Sequence, residues 1–143
     1  MGRENYFRAM FLSGALFNIV MAFLLIFLFD QYLVLVDVGN ASSSDSMSNM
    51  FRCLFGFVVG MFGFVYAWIG CHLTHPASPV LAIIAAALKF GVFLIMSIYA
   101  YFTDVAWLSG PLFSIVDFIY SLLFVEYFVA AKKSRSAALV CQS

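Results

Sequence analysis

Four runs of mostly apolar residues, separated by short polar segments, dominate this chain. The runs cover about residues 6–29, 51–71, 80–102 and 109–130. A helix that crosses ~30 Å of hydrocarbon needs about 20 apolar residues, and each run is close to that length. We therefore predict an all-α fold, a polytopic membrane protein in which four transmembrane helices form one bundle. This single domain should occupy residues 1–131, followed by a short basic tail at residues 132–143.

The composition favours lipid rather than water as the surrounding solvent. Hydrophobic residues make up 65% of the 143 positions, and charged residues only 10%. Water-soluble domains contain ~45–50% apolar and ~25% charged residues, because a surface that faces water has to be polar. The formal net charge is +0, so the chain lacks the basic field that nucleic-acid binding requires. We predict membrane lipids as the main partner and no binding to nucleic acid.

The segments between the runs predict the turns. Residues 37–49 are rich in Ser, with Asn and Asp, which is typical of a solvated loop. Pro76 and Pro79 are expected to end the second helix and begin the third, and a third connection is expected around Asp104. Two signals fall at residues 39–42: small residues spaced like a signal-peptide cleavage site, and an Asn-Ala-Ser glycosylation acceptor. The first run is too long for a signal peptide, which uses ~7–15 apolar residues.

The positions of Lys and Arg predict the orientation. Basic residues lie before the first run and after the fourth: Arg3, Arg8, Lys132, Lys133 and Arg135. Positive charge close to a span is retained on the cytoplasmic side during insertion. Both termini should therefore be cytoplasmic, with the protein in a cell inner membrane. Arg52, just inside the second run, is a mild exception to this pattern.

Small residues predict the faces on which the helices meet, since lipid gives apolar side chains no reason to prefer a protein neighbour. On the second run they recur every three or four positions, at Gly56, Gly60, Gly63, Ala67 and Gly70. The other runs carry shorter stripes of the same kind: Gly14, Asn18 and Ala22 on the first; Ala82, Ala85, Ala86 and Lys89 on the third; Ser114, Asp117 and Ser121 on the fourth. The opposite faces are bulky and should meet lipid.

Polar side chains fall at similar depths inside the predicted bilayer. Lys89 lies roughly 15 Å from the cytoplasmic end of its run, Asn18 about 18 Å and Asp117 about 20 Å, from the helical rise of ~1.5 Å per residue. A charge at this depth costs ~2.5–3.5 kcal/mol and is usually paired. We predict a candidate binding site made of a Lys89–Asp117 ion pair, Asn18 as a hydrogen-bonding neighbour, and Ser121.

Such a buried pair has two interpretations that the sequence leaves open. It can fix the register of neighbouring helices, or it can form a site for a proton, an anion or a polar headgroup. Glu126 lies closer to the cytoplasmic end and is expected to reach toward Lys132 or Lys133 instead of joining this site.

Metal ligands are a weaker possibility at the second turn, where Cys71, His72 and His75 lie within five residues. Their spacing does not match a standard zinc site, and no second cluster completes the coordination sphere. We predict no metal and no cofactor. The remaining cysteines, Cys53 and Cys141, form no CxxC motif. Cys53 is expected on the opposite side of the membrane from Cys71 and Cys141, which excludes a disulfide from Cys53 to either of them.

Several segments in order resemble a known family. Residues 8–18 read RAMFLSGALFN, the second run is rich in Gly and ends at a Pro turn, residues 87–91 read ALKFG, and residues 116–120 read VDFIY. Together they resemble small bacterial inner-membrane proteins of the broad DoxX-like group. The resemblance implies a four-helix membrane fold and, for some members, a role as an accessory partner of redox or stress-response enzymes.

The chain shows no nucleophile arrangement, metal site or quinone-reactive cysteine pair, so the sequence favours a noncatalytic role. We expect an accessory or binding subunit that acts with a membrane protein partner or as a homo-oligomer. The alternative is a small-molecule or proton-coupled transporter that acts as an oligomer. The glutamate expected early in the first span of small multidrug transporters is absent, since Ser13 and Gly14 occupy that region.

Overall fold

The computed structural model describes residues 2–31, 46–102 and 111–140, which form long α-helices and no strand. The helices are α1 (Arg3–Phe27), α2 (Ser46–Cys71), α3 (Ser78–Phe102) and α4 (Pro111–Val140). All four are long and apolar enough to cross a membrane. The prediction of an all-α, four-helix transmembrane fold is therefore confirmed, and the chain is a multi-pass integral membrane protein.

Helices α1, α2 and α3 begin before the apolar runs that predicted them, and α4 ends after its run. Because α2 begins at Ser46, residues 46–49 of the predicted loop are helical. Helix α1 begins at Arg3, directly after Gly2 in extended backbone (φ −66°, ψ 151°), and its last backbone hydrogen bond is donated by Leu28 to Leu24. Helix α4 continues through the basic segment after residue 131. Ser134 donates from its hydroxyl to the Ala130 carbonyl oxygen at 3.1 Å, a back-bond typical of serine in helices. The first residues of the predicted tail thus prolong the last transmembrane helix.

Some sequence-based predictions concern residues that lie outside the described ranges. These are most of the solvated loop at residues 37–49, the signals at residues 39–42, the connection around Asp104, and Cys141.

A tight turn at residues 72–77 joins α2 to α3 and defines what is called here the turn end of the bundle. The Ser78 hydroxyl donates to the His72 carbonyl oxygen at 2.6 Å, and the Tyr127 hydroxyl donates to the Leu73 carbonyl oxygen at 2.6 Å. Pro79 is the second residue of α3, where a missing N–H costs nothing. Arg3 and residues 132–136 lie at this same end, and the opposite end is called the far end.

The bundle is built from two helical hairpins, because α1 packs closely along α2 and α3 along α4, while contacts between the pairs are fewer. The predicted glycine face of α2 meets α1. A Cβ at Gly63 would lie 2.8 Å from Ile19 Cγ1, and one at Gly56 would lie 2.7 Å from Ile26 Cγ1. Absence of a side chain at these positions permits the close approach of the two backbones. Gly14 of α1 differs, since it faces Tyr120 of α4 rather than α2.

An aromatic core joins the hairpins in the half of the bundle nearer the turn end. Phe11 stacks on Phe124 with ring centroids 4.7 Å apart, and Tyr66 meets Phe124 edge-on at 5.0 Å. Tyr127 lies edge-on to Phe11 at 5.0 Å and to Phe7 at 5.2 Å. Offset and edge-on arrangements are the favourable ones for aromatic pairs. Phe11 and Phe124 are 0% exposed, so this half of the bundle is closely packed.

The outer faces of the helices are apolar. Large hydrophobic side chains that are more than half exposed include Leu16, Phe27, Phe57, Phe64 and Ile95. Apolar surface of this extent on every helix is suited to lipid, because monomeric water-soluble proteins rarely expose large contiguous apolar patches.

Candidate functional site

A cavity of about 280 Å³ lies between the two hairpins and receives side chains from all four helices. It is called the central cavity. Most of its lining side chains are apolar, and the polar side chains Asn18, Lys89 and Asp117 lie together. The full lining consists of Phe17, Asn18, Met21, Leu25, Phe55, Val58, Val59, Phe62, Tyr66, Leu88, Lys89, Val92, Met96, Ser114 and Asp117. Ligand sites in proteins commonly combine an apolar wall with a few placed polar groups.

The central cavity occupies only the half of the bundle nearer the far end. On α3 its lining begins at Leu88 and continues to Met96, about 12 Å at the usual helical rise. The residues of α3 nearer the turn end, including Ala82 and Ala86, belong instead to the closely packed core. The cavity therefore has a floor near the middle of the bundle, where Asn18, Lys89 and Asp117 lie.

Lys89 is held at this floor by partners on two other helices. Its ammonium donates to Asn18 Oδ1 of α1 at 3.2 Å and to Asp117 Oδ1 of α4. The lysine is 5% exposed, whereas the Asp117 side chain is 17% exposed and lines the cavity. The sequence predicted these contacts, because Asn18, Lys89 and Asp117 lie at similar depths on three different spans. Pairing offsets the large cost of placing an isolated charge in an apolar medium.

Aromatic rings complete the surroundings of the ammonium. The Lys89 Nζ atom lies 5.5 Å from the ring centroid of Tyr66, 5.6 Å from that of Tyr120 and 5.8 Å from that of Phe17. Rings within about 6 Å of a cation attract it through their negative faces. Tyr66 belongs to α2, so every helix of the bundle contributes a partner or the lysine itself.

Ser121 lies apart from this group. Its hydroxyl donates to the Ala86 carbonyl oxygen at 3.0 Å, which links α4 to α3 inside the packed half. It does not line the central cavity, because it lies one helical turn from Asp117 toward the turn end. Ser114, one turn on the other side of Asp117, does line it and is 2% exposed.

Tyr66, Tyr120 and Phe17 are the neighbours of Lys89 that sequence reasoning missed. The chain contains 18 Phe and 7 Tyr, so an aromatic residue near mid-span carries no distinguishing signal. A weak clue existed for Tyr120, since the small residue Gly14 makes room for it: a Cβ there would lie 3.1 Å from Tyr120 Cε1. Which aromatic side chain fills such a space depends on the rotation of each helix.

The candidate metal ligands lie at the turn end, remote from the central cavity. His72 donates from Nδ1 to the Trp68 carbonyl oxygen at 2.9 Å, and His75 Nδ1 accepts from the Ala77 N–H at 3.2 Å. Their rings lie 4.9 and 5.1 Å from the Trp68 ring. Within residues 2–31, 46–102 and 111–140, no three His, Cys, Asp or Glu side chains are grouped closely enough to hold a metal ion. The two histidines hold the turn in place.

Glu126 has a different partner from the predicted one. It accepts a hydrogen bond from the Tyr6 hydroxyl of α1 at 3.1 Å, rather than reaching Lys132 or Lys133. The reason is helical geometry, since six residues place Lys132 on another face of α4, and seven residues place Lys133 about 10 Å farther along the axis.

The chemistry available at the cavity floor is hydrogen bonding without net charge. The Lys89 ammonium and the Asp117 carboxylate cancel each other, and an ammonium has three donors. Two of these are directed at Asn18 and Asp117. The third N–H has no hydrogen-bond acceptor among the described residues, and the Asp117 carboxylate is the more exposed group of the pair.

Comparison with known proteins gives no relative from which a role could be transferred. No family model matches the chain, and neither a curated protein nor a solved structure is significantly similar to it. The resemblance to the DoxX-like group therefore stays a sequence-based prediction.

Proposed function

We propose that this protein is a noncatalytic binding subunit of the membrane, which holds a small lipophilic molecule in the central cavity. The observation that carries the proposal is the position of Lys89: a buried ammonium at the floor of an apolar cavity, surrounded by groups from the other three helices. The sequence-based expectation of an accessory role beside a partner protein or a second copy of the chain is part of this proposal, as is membership of the DoxX-like group.

The neutral character of the floor favours an uncharged ligand with one hydrogen-bond acceptor, such as a ketone or ester oxygen. A permanent anion would compete with Asp117 for Lys89 and would leave one of two buried negative charges poorly compensated, which is costly in an apolar setting. A cavity of about 280 Å³ is slightly smaller than the ~300–1,000 Å³ that ligand sites usually occupy. We therefore expect a small occupant.

Binding is favoured over catalysis because Lys89 is engaged as an ammonium donor by Asp117 and Asn18. An ammonium has no free electron pair, and a lysine acts as a nucleophile only after it loses its proton. Binding is favoured over transport because the stacked pair Phe11 and Phe124 closes the bundle between the cavity floor and the turn end. A carrier would have to separate these rings in every cycle.

We also propose the location that the charge distribution supports, an inner membrane with the turn end cytoplasmic. Arg3, Arg8 and the basic residues near the end of α4 lie at the turn end, and positive charge beside spans is retained in the cytoplasm.

The experiment uses two probes, a medium-chain methyl ketone and the alkane of equal length, added to purified protein in nanodiscs. The ketone should bind about ten-fold or more tightly than the alkane, since a hydrogen bond to a charged donor contributes about 1.5–3 kcal/mol. Binding would be measured by saturation-transfer NMR and by the shift of the melting temperature. Equal affinity for both probes would contradict the role of Lys89.

Two variants on the same helix separate the cavity from the lipid-facing surface. Val92→Phe should abolish ketone binding because it fills the cavity without changing the polar floor. Ile95→Phe adds a ring at a position that is 67% exposed, so it should leave binding unchanged. The transport alternative would be supported if liposomes containing the protein released an entrapped solute and Val92→Phe, which leaves the Lys89–Asp117 pair intact, stopped that release.

A further inference from the structure

A second cleft lies at the turn end, where the first and last parts of the described chain come together. It has a volume of about 410 Å³ and lies between the N-terminal residues of α1, the turn after α2 and the last turns of α4. It shares no lining residue with the central cavity, so its ligand does not depend on the ligand proposed above, and the two proposals share only the cytoplasmic placement of the turn end.

The rim of this cleft is basic. Arg3 of α1 and Arg135 of α4 both line it and are exposed, although they are separated by most of the sequence. The acidic residue of the rim, Glu4, is paired with Arg8, whose Nη2 lies 3.2 Å from Glu4 Oε1. The two arginines therefore face the cleft with their charge largely uncancelled.

Both guanidinium groups retain donors for an anion. Arg135 uses Nη2 to donate to the His75 carbonyl oxygen at 3.3 Å, and a guanidinium has five N–H donors in a planar fork. The Arg3 guanidinium carbon lies 5.6 Å from the Phe7 ring centroid, which steadies the side chain over the cleft. The fork geometry matches the oxygen atoms of a phosphate.

The floor of the cleft is apolar. Phe7, Tyr127 and Ala130 line it and are buried. Beside them on α4, Val125 and Val129 are exposed on the outer face of the bundle. A basic rim above an apolar floor at the end of transmembrane helices fits an amphiphile whose charged head lies at the membrane surface. Basic pockets between helix ends on the cytoplasmic side are typical sites for anionic lipid headgroups.

We propose that this turn-end cleft binds the phosphate of an anionic phospholipid, with Arg3 and Arg135 as the two ligating side chains. The acyl chains lie against the lipid-facing sides of α1 and α4. The lipid thereby ties the beginning of the chain to its last helix, and α1 and α4 make few close backbone contacts along their whole length.

The test measures the melting temperature of the detergent-purified protein with added phosphatidylglycerol, with phosphatidylcholine of the same acyl chains, and with inorganic phosphate. Phosphatidylglycerol should raise the melting temperature, and the other two should not. An equal rise with phosphatidylcholine would overturn the proposed headgroup recognition. An equal rise with inorganic phosphate would show an anion site that needs no lipid, which also overturns the proposal.

Single-charge variants locate the site. Arg3→Gln and Arg135→Gln should each weaken phosphatidylglycerol binding about ten-fold, as expected for loss of a charge-assisted hydrogen bond. Lys133→Gln makes the same charge change on α4 but lies outside the cleft lining, so it should weaken binding much less. Equal losses in all three variants would indicate attraction to general positive charge and would overturn the assignment.

The variants also distinguish binding from folding. Arg135 contacts the turn through His75, so Arg135→Gln could lower the melting temperature without any lipid. The contact given for Arg3 is with the Phe7 ring, so Arg3→Gln removes no hydrogen bond of the turn and decides the proposal in that case. Native mass spectrometry of the wild type and Arg3→Gln, which counts retained phosphatidylglycerol molecules, gives a readout that does not depend on stability. Unchanged lipid retention in Arg3→Gln would refute the site.

Discussion

Lys89 of α3 donates a hydrogen bond to Asp117 of α4 at the middle of the bundle, and this ion pair forms the boundary between an apolar cavity and a packed aromatic core. On the far-end side of this ion pair, the cavity lies between the two hairpins. On the turn-end side, the two hairpins pack directly against each other. Lys89 thus links the two helices of one hairpin through Asp117. Through its hydrogen bond to Asn18, it also joins that hairpin to α1 of the other hairpin.

The first prediction concerns the stability of this pair. Lys89→Met should destabilise the protein by about 3–5 kcal/mol, because it leaves the Asp117 carboxylate without a partner in an apolar site. The double variant Lys89→Met/Asp117→Leu should recover most of that loss, since it removes both charges. Unfolding in increasing dodecyl sulfate, followed by circular dichroism, measures both. A single variant as stable as the wild type would show that the pair contributes nothing to folding.

The second prediction concerns the contact between α1 and α2. Gly63→Ala should cost about 1–3 kcal/mol through overpacking, because its Cβ would lie 2.8 Å from Ile19 Cγ1 and 3.1 Å from the Ala15 carbonyl oxygen. Gly91→Ala is the matched control, since a Cβ there meets no heavy atom within 4 Å. The control should be neutral or slightly stabilising, because alanine favours helix over glycine. Equal effects in the two variants would contradict the close approach of α1 and α2.

The third prediction concerns the hydrogen bond that holds the turn end. Tyr127→Phe should lower stability by about 1 kcal/mol, the usual net value of one hydrogen bond, because its hydroxyl donates to the Leu73 carbonyl oxygen. Tyr101→Phe makes the same chemical change at a side chain that is 84% exposed, so its effect should be much smaller. Thermal unfolding in detergent compares the two.

The fourth prediction concerns the aromatic core. Phe124→Ala should cost about 3 kcal/mol, at the lower end of the usual range, because lipid rather than water surrounds the side chain when the helices separate. Leu122→Ala, at a neighbouring position that is 56% exposed, should have little effect. Unfolding in increasing dodecyl sulfate compares the two variants. Similar losses of stability in both would mean that Phe124 is not packed between the helices.

The fifth prediction concerns orientation. Cys71 is exposed at the turn end, and this end is proposed to be cytoplasmic. In a Cys53→Ser/Cys141→Ser background, a membrane-impermeant maleimide should label Cys71 in inverted vesicles and leave it unlabelled in intact cells. Labelling in intact cells would reverse the proposed orientation.

The sequence alone determined the number of spans and the depth of the buried polar residues. Hydropathy is a local property, and helical rise converts position along a span into depth, so the order of residues suffices to place Asn18, Lys89 and Asp117 at one level. The high cost of an unpaired charge in lipid then made their association the expected outcome.

Only the tertiary structure decided which helices pair and what surrounds Lys89. Tyr66 and Tyr120 approach the ammonium, Ser121 bonds to the Ala86 carbonyl oxygen instead, and the cavity lies on one side of the pair alone. These features depend on how each helix is rotated about its axis and how its side chains interlock with those of three neighbours. Hydropathy constrains rotation only weakly when every outer face is apolar, because lipid accepts Phe, Leu and Ile equally well.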